Sequence, residues 1–209
     1  MGDIAMASLR SEDWLYKMFG IDAELLIDHA WGYETCRMSD IKNYHSEEHS
    51  LSNGQVLMRN YSFEEALVIV REMTDNLVLD LFEKGLVTSS LTLWIAYDHR
   101  YEHEASKGTV KLERESNSSK KIIDAVEDLY LRIADRYTGI RRIEVCANRV
   151  APESYVQYSL FDDPKQTDKE RHLQEAVLNV KQRYGKNAIM RGSNLLECST
   201  YRERNEQIG

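Results

Sequence analysis

Residues 49–150 contain the pattern that most constrains the fold, because one order of secondary-structure elements occurs there twice. Each half alternates in the order strand, helix, strand. The predicted segments are 52–60, 63–84 and 90–98 in the first half, and 107–115, 119–137 and 140–148 in the second. A β-α-β-β-α-β order predicts an α+β, split-βαβ fold, in which two helices cover one face of a four-stranded antiparallel sheet. The other face of the sheet is left open.

The two predicted helices have apolar residues every three or four positions, the spacing of a helix with one buried face. Ser62 stands three residues before Glu65 in a capping-box pattern, which marks the start of the first helix. The expected buried stripes comprise Ala66, Leu67, Val70, Met73, Leu77 and Leu81, and then Ile122, Val126, Leu129, Tyr130, Ile133 and Tyr137. The charged residues of the first helix are expected to face water: Glu64, Arg71, Glu72, Asp75 and Glu83.

Alternation along the strands assigns the two faces of the sheet, because neighbouring residues of a strand point to opposite sides. The residues expected to pack on the helices are Leu91, Leu93, Ile95 and Tyr97 in one strand, and Ile143, Val145 and Ala147 in another. Trp94 then lies on the open face or at a covered edge of the sheet.

The regions that flank the tandem unit differ from it in character. Residues 1–33 predict a small helical unit with Ser11 as a helix cap, and their abrupt start suggests the end of a longer domain. The first helix of this unit has an apolar stripe of Trp14, Leu15, Met18 and Phe19, and the inward residues of the next helix are expected to be Leu25, Leu26 and Ala30. Residues 34–48 have no sustained period and predict a linker, and residues 151–209 predict a tail with one helix opened by Thr167. The inward residues of that helix are expected to be Leu173, Ala176, Val177, Val180 and Tyr184.

Charge is distributed unevenly along the chain. The formal net charge of −8 disfavours a polyanionic partner at face value. Residues 105–150 nevertheless hold 10 Lys/Arg and 7 Asp/Glu, a net of +3, so the rest of the chain sums to −11. A bound ligand responds to the electrostatic potential around its site more than to the net charge of the whole chain. A basic segment within the sheet domain is therefore compatible with an anionic ligand, and equally with ordinary solvated surfaces.

The cysteine and histidine residues have no pattern that predicts a disulfide framework or a metal site. Three cysteines far apart in the chain favour a reducing compartment such as the cytoplasm. Cys36, His45 and His49, like His99 and His103, lack the spacing of a closed metal site, and we expect surface polar residues. No apolar run approaches the ~20 residues of a membrane span, so no membrane partner is expected.

Seven short segments, in this order, carry a resemblance to one known family. They are 2–5 (GDIA), 15–32 (LYKMFGIDAELLIDHAWG), 49–57 (HSLSNGQVL), 106–109 (SKGT), 140–143 (IRRI), 157–161 (QYSLF) and 187–209 (NAIMRGSNLLECSTYRERNEQIG). Together they resemble the C-terminal part of the Y-family (translesion, UmuC/DinB-like) DNA polymerases. The resemblance implies a partial thumb over 1–33, a linker over 34–48, a little-finger domain over 49–150 and a clamp-binding tail over 151–209.

The same resemblance implies that the little finger lies against template-primer duplex DNA, with its open sheet face toward the phosphates. The candidate DNA-contacting residues are Lys107, Thr109, Lys111, Arg141 and Arg142. Alternation places Arg142 on the open face together with Thr109 and Lys111. Arg141 then needs a twist at the strand end, or a place at the sheet edge, to reach a phosphate. The alternative is that these charges only keep a sheet edge soluble.

The segment 157–161 resembles the pentapeptide by which such polymerases hold the sliding clamp. Leu160 and Phe161 would fill apolar pockets, and the Gln157 amide would form hydrogen bonds in a polar notch. The alternative is that Leu160 and Phe161 pack on the core of this chain. The position of the segment just after the little finger favours the clamp peptide.

No residue of this chain is assigned a catalytic role. Polymerisation requires carboxylates that hold two Mg²⁺ ions, and the resemblance places them in a palm domain whose motifs do not occur in these 209 residues. We therefore expect a cofactor-free fragment of a polymerase of DNA repair, damage tolerance and the SOS response. The alternative from another class is a non-enzymatic ferredoxin-like module that binds a protein or a small ligand.

Overall fold

The computed structural model describes residues 1–43, 50–100, 103–154 and 164–206. The chain divides into two compact units, Met1–Glu47 and Glu48–Gly209. In the part of the chain that is described, no helix combines the length and the apolar character needed to cross a membrane.

The first unit is a group of short helices. They are α1 (Gly2–Ser8), α2 (Glu12–Phe19), α3 (Asp22–Ala30) and α4 (Met38–Asn43). Leu15 and Ala23 are its most completely buried residues, and the indole of Trp31 donates a hydrogen bond of 3.1 Å to the hydroxyl of Ser8. Helix α4 occupies a segment that the sequence predicted as a linker. The backbone N–H of Arg37 donates to the carboxylate of Asp40 at 2.9 Å, which supports the start of this helix.

Most of the apolar stripe predicted for this unit is exposed, so that part of the prediction is wrong. Trp14, Met18 and Leu25 have exposed fractions of 54%, 56% and 56%. Helices of eight or nine residues in a unit this small bury only one residue each completely, Leu15 in α2 and Ala23 in α3. The three-and-four spacing identifies an apolar face but cannot establish that anything covers it.

The second unit is built on an antiparallel sheet. Its strands are β1 (Ser50–Tyr61), β2 (Leu86–Tyr97), β3 (Ser106–Ser116) and β4 (Ile140–Asn148), in the spatial order β1-β4-β2-β3, with β5 (Ala151–Pro152) paired to the start of β2. A strand of one half lies between the two strands of the other half. The α+β, split-βαβ prediction is therefore confirmed.

Helices α5 (Phe63–Glu83) and α6 (Ser119–Ile133) cover one face of this sheet. The predicted capping box is present, because the Ser62 hydroxyl accepts from the Glu65 N–H at 3.2 Å and the Glu65 carboxylate accepts from the Ser62 N–H at 2.9 Å. The fully buried core includes residues from both predicted stripes and from the alternating strands: Ala66, Val70, Met73, Leu77, Leu81, Leu91, Leu93, Ile95, Ile122, Ile143 and Val145.

Helix α6 ends at Ile133, four residues before the predicted end. Asp135 stops it, because its carboxylate accepts from the N–H of Tyr137 at 3.0 Å and from the hydroxyl of Thr138 at 2.5 Å. These bonds close a turn instead of a further helical turn. Tyr137, predicted to lie in the buried stripe, is 96% exposed.

Helix α7 (Pro164–Tyr184) begins three residues before its predicted cap and presents a different face from the one predicted. Leu173 and Tyr184 are 63% and 67% exposed, whereas Gln174 is buried and donates to the carbonyl of Asn117 at 3.0 Å. The carboxylate of Glu170 accepts from the N–H of Lys120 at the start of α6. The helix is therefore positioned by polar contacts with the N-terminus of α6, which an apolar stripe cannot predict.

The remainder of the tail, a 3-10 turn (Gly192–Leu195) and α8 (Tyr201–Glu206), packs on α5. Glu72, predicted to face water, is only 2% exposed, and its carboxylate accepts from the side-chain amide of Asn194 at 3.2 Å and from the N–H of Thr200 at 3.3 Å. Burial raises the pKa of Glu72. Helix α5 thus lies between the sheet and the tail.

Candidate nucleic-acid interface

The face of the sheet opposite α5 and α6, called here the open face, has a shallow concavity of about 420 Å³. Strands β2, β3 and β4 supply its lining because every second residue of each strand points away from the helices. The lining residues are Thr92, Trp94, Lys107, Thr109, Arg142, Glu144, Cys146 and Asn148. Six of these eight residues are polar or charged, whereas most residues that line small-molecule sites are apolar.

Hydrogen bonds fix the polar floor of the concavity. The hydroxyls of Thr92 and Thr109 lie 2.9 Å apart across β2 and β3, and the side-chain amide of Asn148 donates to the Thr92 hydroxyl at 2.9 Å. The thiol of Cys146 is 3.3 Å from the Asn148 side-chain oxygen. Burial and the charge of Glu144 raise the pKa of this thiol, so it stays protonated and is not an activated nucleophile.

The predicted residues of β3 are all accessible on this face. Lys107, Thr109 and Lys111 are exposed and alternate with the less exposed Gly108 and Val110. Lys107 and Thr109 line the concavity, whereas Lys111, which is opposite Ser90 of β2, lies further along the strand. The three side chains therefore form one row along the outer strand of the sheet.

Arg142 lies on the open face, as alternation predicts, and is held by two neighbours. Its guanidinium carbon is 5.1 Å from the ring centroid of Trp94, and its Nη2 is 3.6 Å from an Oε atom of Glu144. The first contact is within the range of cation–π attraction. The second is an ion pair that is too long for a hydrogen bond. About half of the Arg142 side chain remains exposed.

A β-bulge changes the expected position of Arg141. Arg142 is opposite Ala96 of β2, whereas Ile140 is opposite Tyr97, so β4 has one extra residue between these pairs. Alternation would have put Arg141 in the row that faces the helices. The bulge removes it from that row, because a bulged residue breaks the alternation. The sequence does not predict this bulge, because two adjacent arginines are no signal for one.

Two further features of this surface were not assigned a role by the sequence. Trp94 was expected on the open face or at a covered edge of the sheet, and Glu144 was not among the candidate residues. The contact of Trp94 with Arg142 depends on the pairing of β2 with β4, in which Trp94 is opposite Glu144, whereas Glu144 lies two residues from Arg142 on β4 itself. That pairing joins residues 50 positions apart, so local periodicity cannot predict it.

The remaining candidate sites receive less support. Among the described residues, no three His, Cys, Asp or Glu side chains gather in a way that would hold a metal ion. His99 is almost fully exposed, whereas the ring of His103 packs 4.3 Å from that of Tyr97 and its Nε2 is 3.0 Å from the Asp135 carboxylate. The predicted clamp-binding residues Gln157, Leu160 and Phe161 lie outside the described residues.

Comparison with known proteins assigns the family. Residues 48–160, more than half of the chain, match the family model described as the impB/mucB/samB family C-terminal domain. The chain therefore belongs to this family, that of the Y-family DNA polymerases, and its residues 48–160 correspond to the C-terminal domain of the family. Among curated proteins, no sequence matches this chain.

Two solved structures are similar in part. One is a complex of the beta-clamp processivity factor and the little finger domain of PolIV, at 12% identity and a TM-score of 0.39, covering 55% of this chain and 100% of that chain. The other is a Y-family DNA polymerase chimera of Dbh and Dpo4, at 15% identity and a TM-score of 0.41. It covers 71% of this chain, which spans only 41% of the chimera's length.

Proposed function

We propose that the open face holds duplex DNA by its phosphates, and that the chain contributes this grip to a translesion DNA polymerase. One observation carries the proposal. Lys107, Lys111 and Arg142 all extend into solvent on the one sheet face that the helices leave uncovered, within a chain whose total charge is −8. Local positive charge of this kind binds phosphates without reading base sequence.

The polar floor of the face supports the same function. The Thr109 hydroxyl is accessible beside Lys107 and can donate to a phosphate oxygen, a contact that positions DNA without specifying sequence. Arg141, released from the core-facing row by the bulge, lies next to Arg142 and adds a second guanidinium at the same end of β4. The five residues Lys107, Thr109, Lys111, Arg141 and Arg142 thus remain our candidates for phosphate contact.

The salt dependence of duplex binding tests this proposal. Binding of the chain to a template-primer duplex, followed by fluorescence anisotropy over a range of salt concentrations, should weaken as salt rises, with a log–log slope of roughly 0.9 per neutralised phosphate. Replacing Lys111 and Arg142 together with Ala should flatten the slope by about one to two units. The matched control replaces Lys120 and Arg132, exposed cations of α6, and removes the same charge from the helix-covered side.

An equal flattening by both double variants would mean that overall charge, and not the open face, binds the DNA. Sequence preference in competition with unrelated duplexes would contradict phosphate recognition. Absence of duplex binding even at low salt would leave the alternative, a ferredoxin-like module that binds a protein or small ligand.

The second part of the proposal is that Gln157, Leu160 and Phe161 form a peptide that binds the sliding clamp. The support is the sequence QYSLF at residues 157–161 and its position after the last strand of the little finger. In isothermal calorimetry with the clamp, replacing Leu160 and Phe161 with Ala should abolish binding, because such anchors typically contribute ~2 kcal/mol or more. A large fall in melting temperature with clamp affinity retained would show that the two side chains belong to the core.

Nucleotidyl transfer is not part of the function proposed for this chain. The Mg²⁺-binding carboxylates of such polymerases belong to the palm, and no palm motif occurs among residues 1–209. The chain alone should therefore show no primer extension in the presence of Mg²⁺ and nucleotides. Extension by the chain alone would contradict this assignment of roles.

A further inference from the structure

Glu144 is a carboxylate in the middle of a face that we propose binds phosphates. It is opposite Trp94 on β2 and opposite Gly54 on β1. A Cβ atom at position 54 would lie 3.6 Å from the Cγ of Glu144, an ordinary van der Waals distance, so the acidic side chain lies directly beside β1 at this residue. Among the eight residues that line the concavity, Glu144 is the one with a negative charge.

The ion pair between Glu144 and Arg142 contributes too little to the folding stability to account for a carboxylate at this position. The two charged groups are 3.6 Å apart, and their side chains are 39% and 51% exposed. Pairs this exposed contribute little to folding, because water screens them and two side chains must be ordered. The ion pair instead affects how readily Arg142 binds a phosphate, because the same guanidinium is one of the cations that we propose contact DNA.

Trp94 and Glu144 together hold Arg142 over the concavity before any DNA arrives. The indole supports the planar guanidinium, while the carboxylate occupies the electrostatic position that a phosphate oxygen would take. A phosphate that binds Arg142 lies close to Glu144, a group of its own charge, and competes with it for the guanidinium. Like charges placed together across an interface weaken the complex.

We infer that Glu144 is a built-in competitor for DNA phosphate, which holds Arg142 in the unbound chain and keeps the grip of the open face on duplex DNA weak. This inference rests on the proposed DNA-binding function. It assigns Glu144 a positioning and affinity-limiting role and does not make it a DNA contact. A weak, exchangeable grip would let the domain change its position along a duplex without a large barrier to release.

The test compares Glu144→Gln, which keeps the shape of the side chain and removes its charge, with Asp124→Asn. Asp124 is exposed on α6, so its replacement makes the same change in net charge on the helix-covered side. At about 0.1 M salt, Glu144→Gln should bind duplex DNA about three- to tenfold more tightly, with a log–log salt slope steeper by about one. Asp124→Asn should change neither value appreciably. Unchanged or weaker binding by Glu144→Gln, or an equal gain by Asp124→Asn, would overturn the inference.

A double-mutant cycle separates competition from simple repulsion. If Glu144 acts by holding Arg142, the gain from Glu144→Gln should fall to less than half in an Arg142→Ala background. A gain retained in full would overturn the competitor role. The proposed function is judged separately: if Lys111→Ala with Arg142→Ala weakens binding while Glu144→Gln does not tighten it, only the present inference fails. If no variant binds DNA, both fail.

Discussion

Ile140 and Ile143 of β4 are both fully buried against the helices although they are three residues apart. Strict alternation cannot bury two residues at odd spacing on one face of a strand. The β-bulge between them solves the conflict, because it adds one residue to β4 relative to β2. As a result, Arg141 and Arg142 stand side by side outside the row of core-facing residues.

The bulge predicts that both arginines contribute to DNA binding. Arg141→Ala and Arg142→Ala should each reduce the salt slope of duplex binding by about one unit, and neither should change the melting temperature appreciably. Arg132→Ala on α6 is the matched control and should leave the slope unchanged. If Arg141→Ala lowers the melting temperature and leaves DNA binding intact, its side chain supports the fold and does not meet phosphate.

The sequence predicted the sheet domain well because local patterns determine it. The capping box at Ser62, the stripe through Val70 and Met73, and the alternation of Leu91 with its neighbours each depend on residues close together in the chain, and the structure confirms them. Several of the predictions that are wrong involve partners distant in sequence, although the early end of α6 depends on the local bonds of Asp135. Glu72 is polar and was placed in water, but the tail covers it from more than 120 residues away.

The same distinction applies to the candidate interface. Alternation predicted that Thr109, Lys111 and Arg142 share a face, and the structure places them there, but the contact of Arg142 with Trp94 depends on strand pairing. The bulge at Arg141 allows Ile140 and Ile143 both to be buried although they are three residues apart. Neither feature has a signature in residue type alone, which is why the sequence could name candidate phosphate contacts but not the arrangement that holds them.

Glu72 tests whether the tail is a stable part of the fold. Replacing it with Ala should lower the free energy of unfolding by about 1–3 kcal/mol, because the amide of Asn194 and the N–H of Thr200 lose a buried acceptor. Urea unfolding followed by circular dichroism measures the change. Asp128→Ala, at an exposed site on α6, is the control and should stay within about 0.5 kcal/mol of the parent. A loss as small as the control's would mean that the tail is not bound to α5 in solution.

The buried carboxylate of Asp98 should make the stability of the fold depend on pH. Its side chain is 4% exposed, and its carboxylate accepts from the N–H and the Nε of Arg100 at 3.0 and 2.9 Å and from the amide of Asn60. Arg100 and Asn60 lower the pKa of Asp98 below its ordinary value. The unfolded chain, with a pKa of about 3.9, therefore binds this proton more readily than the folded chain. The stabilisation is present above about pH 4 and is lost as the pH falls through the folded-state pKa.

Melting temperatures measured from pH 7 down to about pH 2 should show this loss for the parent chain, and Asp98→Asn should remove part of it. Asp124→Asn, at an exposed site, should show the same fall in melting temperature at low pH as the parent chain. If the two variants follow the parent equally closely, the bonds of Asp98 with Arg100 and Asn60 do not govern its titration.

Gly108 lies between the proposed phosphate contacts Lys107 and Thr109, yet its importance is to packing. A Cβ atom at this position would lie 2.8 Å from a methyl of Leu129 and 3.0 Å from one of Ile133, so α6 leaves no space for a side chain. Gly108→Ala should therefore destabilise the domain by about 1–3 kcal/mol, the usual cost of overpacking. Gly54→Ala is the matched control, because the added Cβ atom would meet Glu144 only at an ordinary 3.6 Å.

Chemical unfolding measures both glycine variants, and duplex binding under native conditions separates folding from contact with DNA. We expect Gly108→Ala to lower the unfolding midpoint while the fraction that remains folded binds DNA as the parent does, since position 108 faces α6 and its neighbours keep their side chains on the open face. Equal stability of the two variants would show that α6 can move away from β3 at little cost. The close approach of Leu129 and Ile133 would then not determine the spacing between this helix and the strand that carries Lys107 and Lys111.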